Sequence, residues 1–151
     1  MPERFHARLN AKGKRYCYRL CDSGVPDVFT RSYVCAWDNR LDESAMREAA
    51  AYLIGTHDYR AFSSVNKRFK KSTVRTITAL EIERKGQELW ISVQSTGFLY
   101  NMVRILVGTL VEVGEGKRAP QSMPDILISR DRQQAGMTMP PHGLMLEEIF
   151  Y

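Results

Sequence analysis

Hydrophobic and polar positions alternate over residues 14–20, with Tyr16, Tyr18 and Leu20 on one face and Arg15, Cys17 and Arg19 on the other. That is the period of a half-solvated β-strand. Asp22, Ser23, Gly24 and Pro26 follow as a turn cluster, and the aromatic and β-branched run at 30–37 predicts a second strand. Asp42 is placed to cap a helix by accepting from the free N–H groups of its first turn, with Leu41 and Met46 as a hydrophobic staple. Met46, Ala49, Ala50 and Leu53 fall on one stripe of that helix, and Gly55 is placed to end it in the left-handed conformation. A basic loop follows. Val74, Thr76, Thr78, Leu80 and Ile82 then share one face of an extended run, and Leu89, Ile91 and Val93 share a face of the next, across a turn at Gly86. The pair predicts an antiparallel hairpin.

The strongest helical spacing runs over 98–113, through Phe98, Met102, Ile105, Leu106, Thr109, Leu110 and Val113, with Ser95 or Thr96 placed to cap it and Gly114 to stop it. Pro120 opens a shorter helix with Met123, Ile126 and Leu127 inward, and a loop punctuated by Gly and Pro at 135–143 leads to a last strand ending at Tyr151. Nothing repeats and nothing is of low complexity. This mixture of strands and helices, joined by hairpin-length connections, predicts an α+β fold: an antiparallel sheet with its helices packed on one face. The other face is left available for a partner.

Length and composition then bound the class. A chain of 151 residues, 44% of them hydrophobic, suits one domain with a real core. Lys and Arg number 22 against 17 Asp and Glu, a net charge of +5 that suits a polyanionic partner. Cys17, Cys21 and Cys35 are odd in number and form no C-x-x-C pair, which argues against a disulfide framework or zinc ribbon and fits a reducing cytoplasmic setting. No apolar run approaches the roughly 20 residues of a membrane helix, and Glu3, Arg4 and His6 interrupt any signal-peptide core. A soluble, internal protein with no membrane partner is expected.

Read without analogy, the residues offer no complete catalytic set. His6, His57 and His142 lie far apart, with no metal-ligand spacing and no Cys pair beside them. No G-x-S-x-G, P-loop or G-x-G-x-x-G motif occurs. Three features remain, each with two readings. Tyr16 and Tyr18, on a basic strand, are either sheet-core residues or a base-stacking platform. Lys67, Arg68, Lys70 and Lys71 make either a solvated surface turn or a phosphate contact. Arg104, inside an otherwise apolar helix, either snorkels to water or meets a carboxylate from elsewhere, because a guanidinium cannot shed its charge and costs several kcal/mol to bury alone.

Several ordered motifs then point to one family. Phe5-His6-Ala7-Arg8 is followed by Lys14-Arg15-Tyr16-Cys17-Tyr18, then Phe98-Leu99-Tyr100-Asn101-Met102-Val103-Arg104 and Val107-Gly108-Thr109-Leu110-Val111-Glu112-Val113-Gly114. Asp131-Arg132, Ala135-Gly136, Pro140-Pro141-His142-Gly143-Leu144 and the aromatic end at Tyr151 complete the order. The chain, over essentially its whole length, resembles the tRNA pseudouridine synthase A (TruA) family. The resemblance implies one of two similar α+β halves whose sheets line a basic cleft for the anticodon stem–loop of tRNA, usually across a homodimer. It implies isomerisation of uridine to pseudouridine, with no metal or organic cofactor and with the target base drawn from its stack. Carried over by motif, Tyr16 packs against the target ring, Arg104 pairs with the catalytic aspartate, and Leu144 walls the base pocket. The RNA contacts then fall to Arg8, Lys14 and Arg15 with the loop cations Lys67, Arg68, Lys70 and Lys71.

The chain departs from that pattern in two places. The family's nucleophilic aspartate sits in a Gly-Arg-Thr-Asp-Ala-Gly-Val-His-type segment of the N-terminal half, and nothing like it occurs here. Asp22, Asp27, Asp38, Asp42, Asp58, Asp125 and Asp131 all have turn, cap or loop settings instead. Met145 stands where the family often has tyrosine. The expectation is a C-terminal domain that supplies pocket and RNA contacts and is catalytically silent alone. The competing reading is a non-catalytic RNA-binding module.

Overall fold

The computed structural model describes residues 12–66 and 68–151. Among the described residues six strands form one sheet and three α-helices pack on it. The centre is β1 (Gly13–Cys21), paired antiparallel along one edge with β5 (Glu88–Ser95), which continues through β4 (Val74–Lys85) to β3 (Gly55–Asp58). The other edge of β1 is shared: β6 (Leu144–Phe150) pairs antiparallel along residues 13–18, and β2 (Cys35–Ala36) pairs parallel at Leu20 and Cys21. The sheet is therefore mixed, antiparallel except at that two-residue bridge.

Register sets the core. Tyr16 faces Val93, Tyr18 faces Ile91 and Leu20 faces Leu89 across the β1–β5 ladder. These side chains meet α1 (Glu43–Leu53), α2 (Met102–Gly114) and α3 (Met123–Ser129) in one cluster that includes Met46, Leu53, Ile105, Leu106, Leu110 and Met123. All three helices thus cover a single face, the α+β arrangement that the periodicity predicts. Asp42 caps α1 by accepting from the Ala45 amide at 3.1 Å, and Met46, Ala49, Ala50 and Leu53 are its buried stripe. The short helix also agrees, with Met123, Ile126 and Leu127 buried after a turn opened by Pro120.

Five local expectations are corrected. The strand expected at 30–37 shrinks to Cys35–Ala36, because the preceding backbone bonds locally. The Asp27 carboxylate accepts from the Phe29 amide at 2.8 Å, and the Asp27 and Thr30 carbonyls accept from Thr30 and Tyr33 at 3.0 and 2.8 Å. Such turns compete directly with a ladder. Helix α1 ends at Leu53 with Ile54 already extended, and Gly55 (φ 115°) opens β3 opposite Ile77 instead of capping the helix. The even alternation expected from Val74 to Ile82 breaks at a bulge between Ile77 and Ala79, so that Ile77, Leu80 and Ile82 point inward while Val74 and Thr78 are exposed. An extra residue in one strand shifts every later side chain by one face.

Helix α2 begins at Met102, not Phe98. The Ser95 side chain is engaged with the Thr76 and Gly97 carbonyls, at 2.8 and 2.6 Å, and Asn101 takes a left-handed backbone (φ 59°) that no helix interior tolerates. At the far end Gly114 is the last helical residue, and Gly116 (φ 78°) makes the stop, with the amides of Gly116 and Lys117 bonding back to Val113 and Glu112 at 3.0 and 2.9 Å.

Candidate functional site: a cation held beside Tyr16

Arg104 lies in the first turn of α2, half-buried, with its guanidinium fixed by neutral oxygens. Its Nε donates to the Met139 carbonyl at 2.7 Å and its Nη1 to Asn101 Oδ1 at 3.0 Å. The Met139 amide returns a bond to the Arg104 carbonyl at 3.2 Å. Among the described residues no carboxylate pairs with this guanidinium, although nine other contacts between charged side chains are present. Two donors on Nη2 and one on Nη1 are left for another acceptor.

The 135–143 loop reaches Arg104 because α2 has a glycine where the backbones meet. A Cβ on Gly108 would collide with the Met137 carbonyl. Thr109 adds a tie, its hydroxyl accepting from the Gly136 amide at 2.9 Å, and the Tyr18 hydroxyl donates to Pro140 O at 2.6 Å. Burial pushes the Tyr18 phenol well above its ordinary range, which keeps it a neutral donor there.

Tyr16 meets Phe98 edge to face, with ring centroids 5.0 Å apart and planes at 87°. Together with Arg104, Leu144 and Met102 these rings line a cavity of about 140 Å³. It adjoins a cavity of about 390 Å³ lined by Lys14, Tyr16, Thr96 and Tyr100, and beyond Tyr100 lies a groove of about 540 Å³ lined by Asn66, Phe69, Lys71 and Arg75. Phe98 and Leu99 line all three.

Sequence positions far apart thus converge: Tyr16, Arg104 and Leu144 share one cavity, Lys14 borders the next, and Lys71 lines the outer groove. Arg68 and Lys70 are exposed on the same loop. Arg8 and Lys67 lie outside the described residues. Arg15 is not brought to the cavity. It projects from the opposite sheet face, donating to Gln94 at 2.7 Å near the Phe150 ring. On that helix-free face Arg19 pairs with Glu88 at 2.9 Å, and both Arg19 and Lys85 stack on Trp90. Part of the face expected to meet a partner is thus taken up by a self-paired network of both charges, while Met145, opposite Cys17 on the same face, is 44% exposed. Met139 and Arg75 stand in none of the sequence motifs, Tyr100 and Asn101 stand in one without a role, and only Gly108, a glycine in mid-helix, hints at the approach of the 135–143 loop.

Among the described residues, no group of three or more His, Cys, Asp and Glu is arranged to hold a metal ion, and no helix is long and apolar enough to cross a membrane. A family model described as tRNA pseudouridine synthase matches residues 49–151. The tRNA pseudouridine synthase A 2 of Clostridium perfringens (strain 13 / Type A) is 45% identical over 149 residues, covering 99% of this chain and 61% of its own length. The tRNA pseudouridine synthase A of Bacillus pumilus (strain SAFR-032) is 47% identical over 149 residues, covering 99% of this chain and 60% of its own length. That of Brevibacillus brevis (strain 47 / JCM 6285 / NBRC 100599) is 46% identical over 147 residues, or 97% of this chain and 60% of its own. The chain spans about three-fifths of the length of these relatives. With matched sequence running through the helix that carries Arg104 and the strand that carries Leu144, the chain belongs to the tRNA pseudouridine synthase family.

Proposed function

We propose that these residues form the C-terminal domain of a tRNA pseudouridine synthase, supplying the base pocket and RNA contacts for isomerisation of uridine in the anticodon stem–loop. One observation carries this reading: a guanidinium that no carboxylate neutralises among the described residues is fixed in the lining of a cavity shared with Tyr16 and Leu144. Its remaining donors suit a bidentate carboxylate. The family's Gly-Arg-Thr-Asp-type segment, absent from these 151 residues, is the source of that carboxylate in this reading. Arg104 would hold it ionised and oriented, since a neighbouring cation favours the charged form of an acid.

The chemistry needs no metal or organic cofactor. The N1–C1′ glycosidic bond breaks, the base turns, C5 bonds to C1′, and the C5 proton leaves while N1 ends protonated. The chain's part is to receive an unstacked base against Tyr16, exclude water with Leu144 and Phe98, and keep the attacking carboxylate in place. The net charge of +5, with Lys14 and Lys71 bordering the cavities, supports a tRNA partner. A homodimer in the cytoplasm completes the reading.

Tritium release from tRNA labelled at uridine C5 tests it. The 151-residue chain alone is expected to be silent. In the enzyme that carries the aspartate-bearing segment, Arg104→Ala is expected to cut turnover by about 100-fold or more while tRNA binding stays within a few-fold, since a positioned charge acts at the transition state. Turnover by the 151-residue chain, or full activity of the variant, would overturn the assignment. Salt-dependent tRNA binding with no turnover in either form would favour the non-catalytic module.

A further inference from the structure

Tyr100 is 70% exposed, yet its backbone is pinned. Its carbonyl accepts from the Ser64 amide at 3.0 Å, and the Asn101 side chain donates to the Ser64 hydroxyl at 3.2 Å, so the loop and the start of α2 are tied together at this residue's backbone. A lone exposed aromatic is ordinary on a protein surface. One carried on a pinned backbone and lining two cavities at once is placed for recognition, because part of the ordering cost of a contact made there is already met.

On one side of Tyr100 is the cavity shared with Tyr16. On the other, the groove of about 540 Å³ adds Phe69 and Phe98 as aromatics and Lys71 and Arg75 as two cations, with no acidic side chain in its lining among the described residues. The Arg75 guanidinium is anchored by donating from Nη1 to the Ser72 and Val74 carbonyls at 2.7 and 2.8 Å. Rings that offer a stacking face, beside an anchored guanidinium and a second cation, match an unpaired base with its phosphate. A duplex offers no free base face to such a wall.

We propose that this groove is a second nucleotide subsite, which holds the base and phosphate of the single-stranded nucleotide adjoining the one at Tyr16; this rests on the RNA-binding reading above. The continuous lining through Phe98 and Leu99 is what lets one strand occupy both. Tyr100 supplies the stacking wall, and Lys71 and Arg75 receive the phosphate.

The probe is a short single-stranded oligoribonucleotide with 2-aminopurine beside a uridine, titrated against the 151-residue chain at several salt concentrations. Wild-type protein is expected to quench the fluorophore, and Tyr100→Phe to behave like it. Tyr100→Ala is expected to bind about tenfold more weakly, with quenching lost and the salt slope unchanged, since a neutral ring displaces no counterion. Lys71→Ala is expected to flatten that slope by about 0.7 while quenching survives at saturation. Because Tyr100 is exposed, an unchanged melting temperature for Tyr100→Ala serves as the folding control. Wild-type affinity and quenching in Tyr100→Ala would remove the subsite and leave the RNA reading standing. A flattened salt slope in that variant, or equal binding of the same sequence as a duplex, would also overturn it. No RNA binding by wild-type protein would overturn both.

Discussion

Asn101 accepts from Arg104 Nη1 at 3.0 Å while holding a left-handed backbone at φ 59° and ψ 14°, so the side chain that orients the site's cation is mounted on the one turn that starts its helix. Asparagine is among the few residues that adopt this conformation readily. Two substitutions separate the backbone role from the side-chain role. Asn101→Gly keeps the conformation and loses the amide, whereas Asn101→Ala loses the amide and adds a left-handed penalty of about 1 kcal/mol. In the enzyme with its aspartate-bearing segment, both are expected to lower kcat with little change in KM, and urea melts are expected to rank Ala as the less stable. Equal kcat for wild type and Asn101→Gly would show that Met139 alone fixes the guanidinium.

Gly108 decides whether Met139 can reach Arg104 at all. Alanine is favoured over glycine by about 1 kcal/mol in a helix interior, so propensity alone makes Gly108→Ala stabilising. The added carbon, however, meets the Met137 carbonyl, a backbone atom that cannot rotate away. Overpacking of this kind costs about 1–3 kcal/mol and should win. Gly108→Ala is expected to lower the denaturation midpoint and to weaken turnover as the 137–139 segment is pushed off the helix. A stabilised variant with full activity would show that the loop accommodates the methyl group.

Much of this arrangement is legible in the sequence because it rests on periodicity and motif order. Period two places Tyr16 and Tyr18 on the core face, and Arg104 stands out as the one cation of the largely apolar α2. What periodicity cannot show is where a pattern slips. The bulge at Ile77–Ala79 reverses the faces of β4, and Asn101 breaks the apolar run from Phe98 before the helix starts. Both depend on hydrogen-bond partners distant in sequence. Arg15 is a different case: alternation already sets it opposite Tyr16, so its absence from the cavity was readable, and only the basic motif around it suggested otherwise.

The three thiols provide a test of the core independent of RNA. Cys17, Cys21 and Cys35 are all free and all buried, and burial pushes the Cys17 thiol up to about 11 and raises that of Cys35. At neutral pH Cys17 and Cys35 are therefore both protonated and shielded. Native protein is expected to react slowly with an aromatic disulfide reagent at pH 7.5, and urea-unfolded protein to release three equivalents at once. Rapid reaction of one thiol in the native state would mean that the β1–β2 edge opens.

Asp22 anchors the opposite end of the sheet and sets the acid limit of the fold. Burial alone would raise its pKa, but bonds from Arg84 at 2.9 and 2.7 Å and from the Leu41 amide at 3.0 Å outweigh that and hold the carboxyl below its usual range. The hydrogen bond from Arg84 at 2.7 Å likewise depresses Glu43. Both groups bind protons less readily folded than unfolded, so the unfolded chain takes up more of them as pH falls. Their stabilisation is fully present above the unfolded values of about 3.9 and 4.3 and is lost as pH drops through the lower folded values. Asp22→Asn leaves a guanidinium half-deprived of its partner and is expected to cost about 3 kcal/mol at pH 7. Below about pH 3.9 the gap between variant and wild type should narrow, because the unfolded wild-type chain then takes up a proton that the folded carboxylate resists. A gap in unfolding free energy that stays constant from pH 7 to pH 2.5 would show that Asp22 contributes through packing and not through its charge.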